Sequence, residues 1–135
     1  MTSAVQLIRS SALSDAAEYA YASTVPAGTR LVFLAGSCPL DADGGTVAVG
    51  DIRGQAAHCV ANLRTALAAA GADVGDLVQT RVLVASTRQA DLVAAWEVVR
   101  AAMGDHDVPS TLLGVTVLGY DDQLVEVEAI AAVAD

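Results

Sequence analysis

Residues 51–71 can do little but form a helix, and that helix dictates what the rest of the chain must supply. Ala56, Val60, Leu63, Leu67 and Ala70 recur at steps of four and three, which lines them along one face of a 3.6-residue helix. Asp51 stands where a side chain can accept from the first free amides, and Gly71 where a left-handed C-cap is wanted. A single apolar stripe has to be buried against something. The next segment, Leu77 to Ala85, provides it: Val78, Thr80, Val82 and Val84 alternate as one β-branched face of a strand.

The same pairing repeats. Leu92, Trp96, Val99 and Met103 keep helical spacing, with Gly104 at the end. Asp105 to Val108 is then a loop, Pro109 leads into a strand over Thr111–Val117, Gly119 to Asp122 turns, and Leu124 to Val133 is the last strand. Upstream, Val5–Arg9 and Tyr19–Thr24 predict two short strands around a loop at Ser10–Ala17. Pro26 to Gly28 turns, Arg30 to Ala35 is a buried strand ended by Gly36, and Asp41 to Gly45 is a loop. The order of strands, helix, strand, helix, strand, strand predicts an α+β domain, with both helices on one face of a mixed sheet. Nothing in composition divides the 135 residues, so a single domain over 1–135 is expected.

Composition narrows the chemistry. Hydrophobic residues make up 54% and charged residues 17%, more apolar surface than a lone small domain covers easily, so burial between subunits is expected. All seven basic residues are Arg, which rules out a Schiff-base lysine or a lysine-anchored pyridoxal phosphate. The net charge of −9, with no basic block, opposes nucleic-acid binding, which rests on neutralising phosphates. No apolar run reaches membrane-spanning length, and the first residues show no secretory pattern. A cytoplasmic protein without a membrane partner is expected. His58, Cys59, Cys38 and His106 match no zinc spacing, so no metal is expected. Cys38 reads either as a reactive thiol or as a small buried filler.

Several motifs in order carry a resemblance. Pro109 to Ala131 runs without a gap into Glu126, Glu128, Ala129, Ile130, Ala131. Six residues separate Gln55 from the Asn62-Leu63 pair; Ala69 to Ala72 precede Asp76; Gly36 is followed by Pro39 and Leu40. In these the chain resembles the YjgF/Rid family of reactive-intermediate deaminases. The resemblance implies a chorismate-mutase-like fold assembled as a homotrimer, sheets forming a central β-barrel, with small-molecule clefts between subunits and no cofactor.

It also implies site residues. Glu126 matches the glutamate that positions hydrolytic water, and Gly36 the residue whose carbonyl lies beside the ligand. Tyr21, or Tyr19, matches the tyrosine near the entrance. Three positions depart from the family pattern. Ala35-Gly36-Ser37 replaces Ser-Gly-Gln, Trp96 replaces an Asn, and Thr111 replaces the arginine that grips the substrate carboxylate. Threonine offers one hydroxyl in place of a bidentate charged fork. Losing such a partner in a partly buried site costs about 2–5 kcal/mol of affinity. Arg81, one strand away, is a possible substitute. Tyr21, Trp96, Ser37 and Tyr120 are expected neighbours of Glu126, although Trp96 on a helical stripe reads more readily as core or subunit contact than as a ligand platform. The expected function is a divergent deaminase-like hydrolase acting on something other than simple 2-imino acids. The alternative is a trimer that binds a metabolite without chemistry.

Overall fold

The computed structural model describes residues 3–135. Among them, the strands β1 (Gln6–Ile8), β2 (Ala22–Thr24) and β3 (Arg30–Phe33) precede helix α1 (Ile52–Ala69). Strand β4 (Leu77–Ala85), helix α2 (Gln89–Ala102), and strands β5 (Ser110–Val115) and β6 (Val125–Val133) complete the order. Strands β1 and β2 form a separate antiparallel pair; the main sheet has the order β3-β6-β4-β5. Within it β4 and β5 run parallel, connected through α2, and the other pairings are antiparallel. The expected α+β sandwich is therefore present: two helices on one face of a mixed sheet.

Helix α1 is held as its sequence demands. Asp51 accepts from the Gly54 amide at 3.0 Å, Gly71 takes φ +76°, and the Ala72 amide reaches back to the Leu67 carbonyl. Ala56, Val60, Leu63 and Leu67 are buried against Val82, Val84, Val125 and Val127 of the sheet. Each large aliphatic in that layer contributes about 1.5–3 kcal/mol by leaving water.

One strand interior and three boundaries differ from the sequence expectation, each for a reason outside the local pattern. Strand β4 carries a bulge between Leu77 and Gln79, so Leu77 and Thr80 both face the helices and Val78 drops out of the expected row. Strand β5 stops at Val115, where its register partner Ala85 ends β4 and no ladder remains. Strand β2 begins at Ala22 because Tyr19 and Ala20 are bonded elsewhere: the Tyr19 carbonyl accepts from Arg9, and the Ala20 amide donates to Asp107. Strand β3 ends at Phe33, since the chain lifts at Ala35–Gly36 and rejoins the sheet only through a bridge between Ser37 and Val127.

One buried polar residue ties the layers together. Gln55 of α1 is fully buried; its Nε2 donates to the Asp122 carbonyl at 2.9 Å and its Oε1 accepts from the Leu124 amide at 2.7 Å. Removing it strands a backbone donor and an acceptor in the interior. Gln55→Leu should lower the unfolding free energy by about 2–4 kcal/mol in urea titration. A change below about 0.5 kcal/mol, the range of an ordinary surface substitution, would contradict this account of the contact.

Candidate functional site

Strand β6 sorts its side chains by parity. Val125, Val127, Ala129 and Ala131 are buried against the helices, so Glu126, Glu128 and Ile130 point to the opposite face of the sheet. Register extends that face across the neighbouring strands. Arg81 pairs with both Glu128 and Thr111, and Leu83 pairs with both Glu126 and Leu113. Two rows result, Thr111–Arg81–Glu128 and Leu113–Leu83–Glu126.

Glu126 is the most constrained polar group on this face. Its Oε1 accepts from the Cys38 thiol at 3.1 Å and from Gln123 Nε2 at 3.2 Å. The carboxylate lies directly over Gly36: a Cβ there would stand 2.7 Å from Glu126 Cδ, so no larger residue fits without moving it. The Gly36 carbonyl lies 3.5 Å from the same Cys38 sulfur, a second and more distant acceptor for its one proton. Ser37 takes part through its backbone, exchanging hydrogen bonds with Val127 at 2.7 and 3.0 Å. Gln123 is buried, and its second donor bond goes to the Val125 carbonyl while its oxygen accepts from the Tyr120 amide. That pattern fixes which end of the amide faces the carboxylate.

The loop that carries Gly36 and Cys38 is itself held from α1. Asn62 donates to the carbonyls of Cys38 and Leu40 at 2.8 and 3.0 Å, and the His58 ring lies 2.8 Å from the Leu40 carbonyl. The Gln55 and Asn62-Leu63 spacing noted in the sequence thus has a physical role. One helix pins the segments on both sides of Glu126.

A second group of expected site residues gathers at the outer edge of β5. Thr111, Ser110 and Leu112 line a cavity of about 400 Å³ with Tyr19 and Trp96. Tyr19 meets Trp96 edge to face at 6.0 Å and meets Tyr21 in the same way at 6.0 Å. Of the two candidate tyrosines, Tyr19 lines the cavity, while the Tyr21 hydroxyl donates to the Ser14 carbonyl and closes the loop ahead of it. Trp96 is half-buried: it packs against the core and also lines this cavity. Arg81, although it is the register partner of Thr111, does not line this cavity. It lines a separate cavity of about 230 Å³ with Phe33 and Glu128, and its guanidinium stands 3.9 Å from the Glu128 carboxylate. Both of those side chains are more than 40% exposed, so the attraction is worth little. Tyr120 approaches Glu126 only through its amide and Gln123.

The histidines are engaged structurally, His58 with the Leu40 carbonyl and His106 with the Leu77 carbonyl. Among the described residues, no group of three or more His, Cys, Asp or Glu side chains could hold a metal ion. What sequence reasoning missed is the pair of donors on Glu126. From the sequence Cys38 reads as a reactive thiol or a small buried filler, and nothing in the pattern distinguishes Gln123, which reaches Glu126 because the turn before β6 folds it back.

Comparison with known proteins bears on all of this. The family model described as Endoribonuclease L-PSP matches residues 10–133. A RutC family protein of Pyrococcus abyssi is 30% identical over 111 residues, covering 82% of this chain and 84% of that protein. A protein of unknown function of the conserved Rid family, from Yersinia pestis, superposes with a TM-score of 0.87 at 26% identity, over 96% of this chain and 99% of that one. The Escherichia coli protein TdcF, solved with bound serine, gives a TM-score of 0.66 at 28% identity, over 87% of this chain and 88% of its own.

The Cys38 thiol is pushed up to about 11, first by burial and then by its hydrogen bond to Glu126 and that residue's charge. Burial likewise pushes Cys59 upward. A thiol that ionises later in the folded state than in the unfolded one contributes stability that is complete below pH 9 and lost as pH rises toward 11. Unfolding free energy should therefore fall from pH 9 upward, and Cys38→Ser should make that fall shallower, leaving the part due to Cys59. An identical slope in the variant would refute the assignment.

Proposed function

The chain belongs to the Endoribonuclease L-PSP family, also called YjgF/Rid, and from that premise we propose that it is a hydrolase of a small C=N compound lacking the carboxylate of a 2-imino acid. The observation that carries this reading is the contrast between its two groups of residues. Glu126 is held over Gly36 in a manner suited to handling water, whereas the cavity at Thr111 is lined by Tyr19, Trp96, Ser110 and Leu112, none of them cationic. A site without a fork of donors has no grip on a carboxylate but accommodates a neutral or cationic, ring-bearing ligand against aromatic edges.

In the proposed reaction, the oxygen of water bonds to the imine carbon as Glu126 Oε2 takes the proton. That proton passes to the nitrogen. The proton of the new hydroxyl then moves to the amino nitrogen, the C–N bond breaks with its electron pair leaving on ammonia, and the carbonyl forms. Thr111 and the Gly36 carbonyl orient the ligand, and Trp96 with Tyr19 and Tyr21 encloses it.

The working form is a homotrimer with the ligand between subunits. Two features support this. Thr111 and Glu126 stand two strands and two residues apart on one chain, roughly 12 Å by sheet spacings, too far for one small ligand. A second copy can bring a Glu126 to the Thr111 cavity. The face of the sheet away from the helices also exposes Leu31 at 50% and Phe33 at 72%, which favours burial against another copy. Cleavage of RNA fits poorly with a net charge of −9.

The test is turnover of acetophenone imine, a carboxylate-free ketimine, followed by product formation, with the assembly measured by light scattering. Glu126→Ala should lose at least about 100-fold in rate while remaining trimeric. Unchanged turnover would remove Glu126 from the mechanism. Thermal stabilisation of the native protein by the ligand with no product over hours would favour the alternative, a trimer that holds a metabolite without chemistry.

A further inference from the structure

We infer that Cys38 and Gln123 are positioning residues, which lock Oε1 of Glu126 so that Oε2 alone is presented to the ligand. This inference rests on the hydrolase reading above and deepens it. Both donors take the same oxygen: the Cys38 thiol at 3.1 Å and Gln123 Nε2 at 3.2 Å. The other oxygen lies over the Cα of Gly36, in space that a Cβ would fill. A glutamate has three side-chain torsions, and an unrestrained carboxylate would exchange its oxygens freely. Here each element of restraint is itself restrained. Gln123 is buried, and its remaining donor and its acceptor are used on the Val125 carbonyl and the Tyr120 amide. Cys38 lies in a loop whose carbonyls at Cys38 and Leu40 are gripped by Asn62.

The chemistry suits the role. A thiol is a weak, apolar-tolerant donor, and one pushed up to about 11 keeps its proton, and with it the donor bond, across the neutral range. With Oε1 occupied, a proton taken from water has one oxygen to go to. A fixed acceptor near the position of water is what general-base catalysis needs, since small misplacement of reacting groups is costly.

The test uses the full chain and two independent readouts. With acetophenone imine as substrate, Cys38→Ala and Gln123→Leu should each lower kcat about tenfold with KM within twofold of native, the size expected for losing one charge-assisted hydrogen bond. Cys38→Ser, which keeps a donor, should restore kcat to within about twofold. A purely structural role would be moved equally by Ala and Ser, or would raise KM instead.

The second readout needs no turnover. In a thermal double-mutant cycle of Cys38→Ala with Glu126→Gln, the Tm of the double variant should depart from additivity by about 3 °C or more. Additivity within about 1 °C, or kcat unchanged in both Cys38→Ala and Gln123→Leu, overturns the inference. A clear coupling in a chain that hydrolyses no imine at all would instead place the failure in the hydrolase reading, with the carboxylate still locked as described.

Discussion

The structure around Glu126 depends on what helix α1 does with its polar residues. Most of that helix is committed to the core through Ala56, Val60, Leu63 and Leu67. Gln55 and Asn62, seven residues apart and so on one side of the helix, use their amides to hold the two irregular segments that flank the start of β6. Gln55 fixes residues 122–124 and Asn62 fixes the loop at 38–40. Those segments carry Gln123 and Cys38, the two donors to the Glu126 carboxylate. Loops are normally the least determined part of a domain. Here the side-chain amides of Gln55 and Asn62 tie two of them to the helix.

The other half of the account is a charge that is not there. At the edge of β5, Thr111 shares its cavity with aromatic and small polar side chains, and the arginine closest in register, Arg81, lines a different cavity beside Glu128. The aromatic pair Tyr19 and Trp96 gives the cavity apolar edges, and the Glu18 carboxylate stands 3.5 Å from the Trp96 indole nitrogen. Such a lining favours a ligand recognised by shape and ring contact, with one or two neutral hydrogen bonds. On the reading proposed above, Glu126 would handle water, and the residue that would select the substrate, at position 111, is the one that differs from the family pattern.

Much of the fold was legible because local pattern and tertiary demand agree. The stripe of α1, its Asp51 cap and Gly71 terminus, and the alternation of β6 are each specified by neighbouring residues, and each is found. Departures came where a partner decides. The end of β5 is set by the end of β4, the bulge after Leu77 by the pairing with β6, and the start of β2 by bonds to Arg9 and Asp107. The site divides in the same way. Glu126, Gly36 and Thr111 could be picked out through motif resemblance, and the sheet register could then place them. Gln123 and Cys38 could not, because their role exists only after two loops distant in sequence have been brought together. Trp96 was ambiguous in sequence for a sound reason, since its ring touches the core and the cavity together.

The central claim is that a competent hydrolytic carboxylate faces a pocket that has lost its grip on carboxylates. It is tested most directly by hydrolysis of freshly generated 2-iminopropionate by the native chain beside a Thr111→Arg variant. The account predicts little or no rate for the native protein and a clear gain in kcat/KM for the variant. The lost charged contact is worth about 2–5 kcal/mol, or roughly 30-fold and upward. Efficient hydrolysis of 2-iminopropionate by the native chain would contradict it, because the substrate carboxylate would then be held by a residue other than the one at position 111.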